Sequence, residues 1–286
     1  MLDSAVPDIE YPRYSNRQLA AVPLALLALS LLIIAGTWAT TGMPVNPGID
    51  FTGGTELQIQ TDAPESEIEA AFETEPESVQ PIAAQENEYI VTFQSTDTAE
   101  IESQATDAGF SVTSISSTSA AFGSETQLQA VVGVAVAFLG MSVLVALMFR
   151  TFVPSIAVVL SAFSDIAIPV ALMNLFGIQL SLGTVAALLM LIGYSVDSDL
   201  LLNNHVLRRR GDFYESTYRA MRTGVTMTLT AIVAMLVMTV VATLFAIPLL
   251  PAIGLVLVFG LLADLMNTYL LNVSLLRWYK YEGVAR

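Results

Sequence analysis

The sequence predicts a polytopic α-helical membrane protein in which six transmembrane helices carry one extracytoplasmic α+β domain, inserted between the first helix and the second. Three observations predict it. Six apolar stretches, at about 19–41, 127–149, 153–176, 181–206, 223–247 and 250–276, each come near the twenty residues that cross a hydrocarbon core. The eleven basic residues can all be placed on one side of a membrane. Residues 42–126, between the first stretch and the second, hold sixteen acids and no base.

The basic residues set the topology. Arg13 and Arg17 precede the first stretch, Arg150 separates the second from the third, and Arg208, Arg209, Arg210, Arg219 and Arg222 follow the fourth. Arg277, Lys280 and Arg286 close the chain. Cytoplasmic loops collect Lys and Arg and translocated ones lack them, so residues 1–18 and 277–286 are expected as cytoplasmic tails, 207–222 as a cytoplasmic loop and 42–126 outside. Both termini inside requires an even number of spans, and six satisfies it. The short connections Gly177–Leu180 and Pro248–Pro251 make the helices they join antiparallel neighbours. The first stretch, from residue 19, is too long for the apolar region of a secretory signal.

The insertion reads as β-α-β-β-α-β. Ile49 to Thr61 is strand-like, with Leu57 and Ile59 alternating against Gln58 and Gln60. Pro64 opens a helix with acids in its first turn and Ile68, Ala71 and Phe72 on one face. Val79–Gln85 and Tyr89–Gln94 flank the polar turn Glu86–Asn87–Glu88 as a hairpin. Asp97 caps a second helix that ends at Gly109, and Phe110–Ser117 resumes the strand with Val112 and Ile115. This order is that of a ferredoxin-like unit, a fold that assigns no function by itself.

Composition narrows the classes. The absence of cysteine rules out disulfides and thiolate metal sites, and one histidine, His205, cannot build a zinc site alone, so no metal or other cofactor is expected. No Gly-rich phosphate loop of the Walker type is present, so nucleotide hydrolysis is not expected here. The acidic domain carries no basic patch for nucleic acid. A net charge of −15 with a single lysine suits a high-salt organism, a haloarchaeon, where the Debye length falls to roughly 3 Å at about 1 M salt.

The segment GIDFTGGT, Gly48–Thr55, follows the first span directly. Its Asp50, Phe51, Gly53, Gly54 and Thr55 resemble the signature of the SecF branch of the SecD/SecF family of protein-export membrane proteins. Ile192-Gly193-Tyr194-Ser195 in the fourth span and Arg222-Thr223 opening the fifth are similar to that family's motifs at those places, as is the layout of one span, a domain and five spans. The resemblance covers nearly the whole chain. It implies a helix arrangement of the resistance-nodulation-division (RND) type and a non-enzymatic subunit. With SecD, beside the Sec translocation channel, such a subunit uses ion flow to draw an unfolded polypeptide outward. The implied partners are SecD, the channel, the polypeptide and membrane lipid. One departure concerns the relay residue: the family's Gly-Tyr-Ser continues x-Asn-Asp, whereas this chain has Val196-Asp197-Ser198-Asp199. Asp197 fits the Val-Asp-x-Asn pattern of SecD, with Asp199 in the place of its Asn, and the pattern favours Asp197 over Asp199.

Independently of any family, Asp165, Asp197, Asp199 and Asp264 lie within apolar spans. Each costs about 2.5–3.5 kcal/mol near a helix centre, so intramembrane acids mark a relay or a polar strut. Asp197 and Asp199 point about 200° apart on one helix. Gly193 shares a face with Asp197, Ser195 one with Asp199, Ser161 and Pro169 one with Asp165, and Gly260 and Asn267 one with Asp264. Arg222 is the expected intramembrane counter-ion, with Thr223, Thr226 and Thr230 continuing a polar track beside the aspartates. The competing functions are an RND-type solute or lipid exporter and an intramembrane aspartyl protease. The protease lacks its Gly-x-Gly-Asp, since Leu261-Leu262-Ala263 precede Asp264.

Removing salt is expected to expand or unfold the acidic domain. Circular dichroism of residues 42–126 should lose its folded signal between about 3 M and about 50 mM salt, and equal stability at both would show that screening does not hold it.

Overall fold

The computed structural model describes residues 10–82, 85, 87–208, 212–245, 247 and 249–281. The expected tail residues 1–9 and 282–286, the arginines Arg209 and Arg210, the hairpin residue Glu86 and Pro248 of the last short connection lie outside the described residues, as does the side chain of Arg208. Six helices are long and apolar enough to span a membrane.

A 3-10 turn, Tyr11–Arg13, leads into α1, Asn16–Thr41. Ser15 and Gln18 form a reciprocal cap at its start, the Gln18 N–H donating to Ser15 Oγ and the Ser15 N–H to Gln18 Oε1 at 2.9 Å. Gly42, at φ +76°, ends the helix in the left-handed conformation. The chain then runs across the connection between α6, Phe152–Phe176, and α7, Leu182–Arg208. The Leu180 N–H donates to the Asn46 carbonyl at 2.7 Å, the Gly48 N–H to the Leu180 carbonyl at 2.8 Å, and Asn174 Nδ2 to the Pro44 carbonyl at 2.9 Å.

The domain follows as α2 (Ile49–Thr52), β1 (Gly54–Gln60), α3 (Glu65–Ala70), β2 (Ser78–Pro81), β3 (Glu88–Phe93), α4 (Thr98–Asp107) and β4 (Ser111–Thr118). The antiparallel sheet has the order β2-β3-β1-β4, the ferredoxin-like arrangement. Leu57, Ile59, Val91 and Phe93 from the central strands meet Ile68 from α3, Phe72 just beyond its end, and Ile101 and Ala105 from α4, all buried. Asp97 does cap α4, accepting the Glu100 N–H at 3.2 Å. Val112 and Ile115 are three apart and would face opposite sides of a regular strand. A bulge between Gln58 and Ile59 resolves this, pairing Leu57 with Ile115 and Ile59 with Val112, so both pack on the core. The strand expected from Ile49 starts only at Gly54; Ile49–Thr52 is a helical turn that places buried Phe51 against the next long helix.

That helix, α5, spans Ala120–Phe149 and begins directly after β4, capped by Ser119 Oγ accepting the Phe122 N–H. α8 covers Phe213–Leu244, α9 Leu250–Met266, a π-helical stretch Asn267–Asn272, and α10 Val273–Tyr281. The loop expected over 207–222 is shorter than the sequence suggested, because Asp212 accepts the Tyr214 and Glu215 N–H groups and starts α8 at Phe213. In the bundle α9 packs against α6, α7 and α8, and α1 covers α6. Leu32, Leu147 and Val233 stand on outward faces, 70%, 69% and 58% exposed, as lipid-facing side chains do.

Glu56, on β1, is partly buried, and both burial and the nearby Asp50 carboxylate push its pKa up. A raised folded-state pKa means that ionised Glu56 destabilises the domain above the ordinary carboxylate range, and that the penalty is relieved as pH falls. Glu56→Gln is therefore expected to raise the urea midpoint of the domain at pH 7, with the difference from wild type closing below about pH 4.

Candidate functional site

Three of the four intramembrane acids meet in the middle of the bundle. Asp165 comes from α6, Asp199 from α7 and Asp264 from the last turn of α9, and they are 1%, 0% and 2% exposed. Neutral donors hold them. Asp165 accepts the Ser195 hydroxyl at 2.6 Å and Asn267 Nδ2 at 2.5 Å. Asp264 accepts the Ser198 hydroxyl at 2.6 Å. Asp199 Oδ1 accepts Asn272 Nδ2 at 2.7 Å and the Thr268 hydroxyl at 2.9 Å. Thr268 Oγ1 also lies 3.4 Å from Asp264 Oδ1 and 3.3 Å from Ser198 Oγ, which joins two of the acids in one network. Asn203 Nδ2 donates to the Asp199 carbonyl at 2.7 Å. Asp199 Oδ2 and Asp264 Oδ2 have no donor among the described residues.

Local winding makes this possible. Asp264, Thr268 and Asn272 are four apart, so one helical face carries all three, and the π stretch from Asn267 adds the Asn267 amide to the same site. Across from it, Gly260 lies against Leu191, leaving no room for a side chain there and bringing α9 close to α7. Ser195 and Asp199 share the inward face of α7.

Asp197 is placed elsewhere. It is exposed on the outer face of α7 together with Gly193, Met190 and Asn204, and it has no partner among the described residues. Tyr194, between the two faces, donates to Thr228 Oγ1 at 2.9 Å. The expected polar track on α8 does not reach the acids. Thr223, Thr226 and Thr230 donate to the carbonyls four residues back on their own helix, and Arg222 and Thr223 stand on its exposed side. Beside that stripe Thr228 faces inward, two residues and so about 200° around the helix from Thr226 and from Thr230. His205 bonds the Leu201 carbonyl through Nδ1 at 2.8 Å.

The residues of the Gly-Gly segment form a joint. Asp50 Oδ2 accepts the Leu182 N–H at 2.9 Å, at the N-terminus of α7, where a negative charge complements the helix dipole. Gly53 has φ +80°, and a Cβ there would sit 2.6 Å from the Ala120 nitrogen of α5. Gly54 is held as tightly against the Phe93 carbonyl and Ile49. Thr55, fully buried, donates to the Ser95 carbonyl at 2.7 Å. On the facing helix, Gly123 approaches the Phe51 backbone so closely that a Cβ would lie 2.7 Å from it. The domain is thereby seated on both α5 and α7.

Thr268, Asn272 and Ser198 were not singled out as site residues by sequence reasoning. The signal available was polar side chains spaced four apart along an apolar stretch after Asp264; helical spacing already groups Asn267 with Asp264, whereas the π winding itself leaves no mark in the sequence.

A six-helix bundle that buries carboxyls at its centre and bears a folded domain between its first two long helices defines a multi-pass membrane protein of the transport class. Residues 98–282 match the family "Protein export membrane protein SecD/SecF, C-terminal", and residues 38–65 match the "SecD/SecF GG Motif". The chain is 72% identical over 288 residues to the protein-export membrane protein SecF of Haloferax volcanii and 66% identical over 292 to that of Haloquadratum walsbyi, each match covering 100% of both chains. SecF of Methanocaldococcus jannaschii is 40% identical over 93% of this chain and 96% of its own. The chain belongs to the SecD/SecF family of protein-export membrane proteins, with haloarchaeal relatives as its acidity predicts. Among solved structures, SecDF from Thermus thermophilus, a translocon-associated membrane protein, aligns at a TM-score of 0.72 with 21% identity, over 96% of this chain and 39% of that one. SecDF in its super-membrane-facing form aligns at 0.61. The same arrangement of six helices and a small antiparallel sheet recurs there, and this chain spans 39% of each longer SecDF chain.

Thr268→Val removes the donor shared by two buried acids and is expected to cost about 1–3 kcal/mol of stability. Thr226→Val, which loses only a bond to its own helix, should change stability by less than about 0.5 kcal/mol. Thermal unfolding of the two purified variants beside wild type checks the contrast.

Proposed function

We propose that this chain works as a SecF-type subunit that, paired with a SecD-type partner, assists the late stage of polypeptide export through the Sec channel, driven by ion flow through the buried carboxyl cluster. The single observation that carries the reading is the cluster itself: three acids on three helices, held only by hydroxyls and amides, with Oδ2 of Asp199 and of Asp264 lacking a donor. No basic side chain is among these hydrogen-bond donors, so charge there is balanced by protons or by a small hard cation. Loading and unloading would change which hydrogen bonds the network can make, and with them the packing of α6, α7 and α9.

Asp199, at the junction of α7 and the π stretch, is the relay residue in this reading. Asp197, favoured by the motif alone, faces outward and meets the membrane helices of the partner, where a polar counterpart removes the cost of a carboxylate in lipid. Motion reaches the domain through Asp50, which rests on the N-terminus of the same α7 that bears the acids. The termini and the 207–222 loop are cytoplasmic and residues 42–126 extracytoplasmic, a sidedness supported by the distribution of the eleven basic residues. Reading the chain as a non-enzymatic subunit is supported by its family.

Pulse-chase export of a secreted reporter, in cells whose only copy of this chain is varied at matched expression, tests the reading. Asp199→Asn is expected to slow late export by about tenfold or more, as the loss of a proton-carrying group does, and Asp197→Asn to weaken recovery of the partner in the purified complex. Normal export by Asp165→Asn, Asp199→Asn and Asp264→Asn alike would reduce the acids to structural struts.

A further inference from the structure

At the end of the bundle where α1 begins, a cavity of about 630 Å³ opens between the N-terminal segment, the start of α8 and α10. Its walls include Arg17, Arg277, Tyr14, Tyr214, Trp278 and Tyr281. Arg277 is only 8% exposed, and every partner of its guanidinium among the described residues is neutral: Nη1 donates to the Tyr11 carbonyl at 2.9 Å, Nη2 to the Tyr14 carbonyl at 2.8 Å, and Nε to Asn16 Oδ1. These bonds use three of its five N–H donors. The ion pairs among the described residues, Arg13 with Glu10 and Arg219 with Glu215, include neither Arg277 nor Arg17. Asp212, on the loop before α8, accepts the N–H groups of Tyr214 and Glu215 through Oδ2 and makes no ion pair with Arg277. A nearly buried cation therefore faces the cavity with donors to spare and with no ion-pair partner among the described residues, and Arg17 adds a second positive charge at the rim.

We propose that this cavity binds the headgroup of an anionic phospholipid. A phosphodiester supplies the missing negative charge and the fork of acceptors that a guanidinium's spare N–H groups fit. The position suits a lipid rather than a soluble anion. The apolar run of α1 starts at Leu19, two residues beyond Arg17, so the cavity lies at the level of the membrane interface. Tyr14, Trp278 and Tyr281 are 49%, 42% and 47% exposed there, the amphipathic aromatic rings that line such a boundary. Exposed Leu24 and Leu31, two and four turns beyond Arg17 near the same face of α1, continue from the site into the apolar zone, where acyl chains run. Because Arg277 is nearly buried, binding there resists screening more than a surface contact does.

The full-length chain with Trp38→Phe keeps Trp278 as its only tryptophan, since the sequence has two. In detergent, its emission is titrated with short-chain phosphatidylglycerol, with phosphatidylcholine of the same chain length and with inorganic phosphate. The expected result is a saturable change with phosphatidylglycerol and binding of the other two weaker by about tenfold or more, as loss of a charge-assisted hydrogen bond gives. Arg277 also holds the Tyr11 and Tyr14 carbonyls, so the variant to use is Arg17→Gln, whose exposed side chain takes no part in that packing. It should weaken phosphatidylglycerol binding about tenfold with its thermal midpoint unchanged. Equal binding of the two lipids, or an unaltered affinity in Arg17→Gln, overturns the proposal; saturation by inorganic phosphate at the same concentration as by phosphatidylglycerol overturns it in favour of a soluble-anion site.

Discussion

A polar atom inside a bilayer costs free energy unless a hydrogen bond compensates it, and the three central carboxyls impose that requirement on nearly everything around them. Three carboxyl groups on α6, α7 and α9 demand donors, and the donors come from the elements opposite: Ser195 and Ser198 of α7 reach Asp165 and Asp264, while Asn267, Thr268 and Asn272 reach back to Asp165 and Asp199. Helices that would otherwise slide against one another, with only dispersion to choose between registers, are held in one register by these bonds. The close approach of Gly260 to Leu191 and the π winding after Met266 are the geometric means by which the donors arrive.

The domain is positioned by a second set of close backbone approaches. Gly53 and Gly123 let the domain's entry turn lie flat on the start of α5, and Asp50 with the Pro47–Leu180 bridge fastens the same segment to the start of α7. The chain enters the domain at this seat and leaves it through β4, which runs straight into α5 by way of the Ser119 cap. Entry and exit thus lie side by side on the bundle, and tilting the domain displaces the ends of two membrane helices together.

Much of the architecture was legible in the sequence because the relevant signals are local and periodic. Apolar length marked all six spans, and alternation with turn residues gave the β-α-β-β-α-β order, including the Asp97 cap. The motif residues Asp50, Gly53 and Gly54 pointed to a rigid joint, although the turn Ile49–Thr52 was hidden inside what looked like strand. Helical spacing also separated the faces of Asp197 and Asp199 and grouped Ser161 with Asp165 and Gly260 with Asp264. Spacing alone does not say which face of a helix turns inward, since that depends on how the helices rotate against each other; the preference for Asp197 rested on the Val-Asp-x-Asn pattern, which carries no such information, and the track drawn through Thr223, Thr226 and Thr230 depended on the rotation of α8. The bulge at Gln58–Ile59 explains why Val112 and Ile115 broke the alternation, a pairing effect that no single strand encodes.

The grip of Arg277 on the Tyr11 and Tyr14 carbonyls joins positions 266 and 263 residues apart. In a chain made from its N-terminus, the residues that anchor α1 at this end are synthesised long after α1 itself. Until the π stretch and α10 emerge, the first span lacks the contact of the Tyr11 hydroxyl with the Tyr269 carbonyl and the Arg277 donors. The bundle therefore closes like a ring, with α10 locking the segment that leads into α1, and a ribosome-bound chain stalled before residue 277 holds an α1 that is inserted but not yet docked at this end.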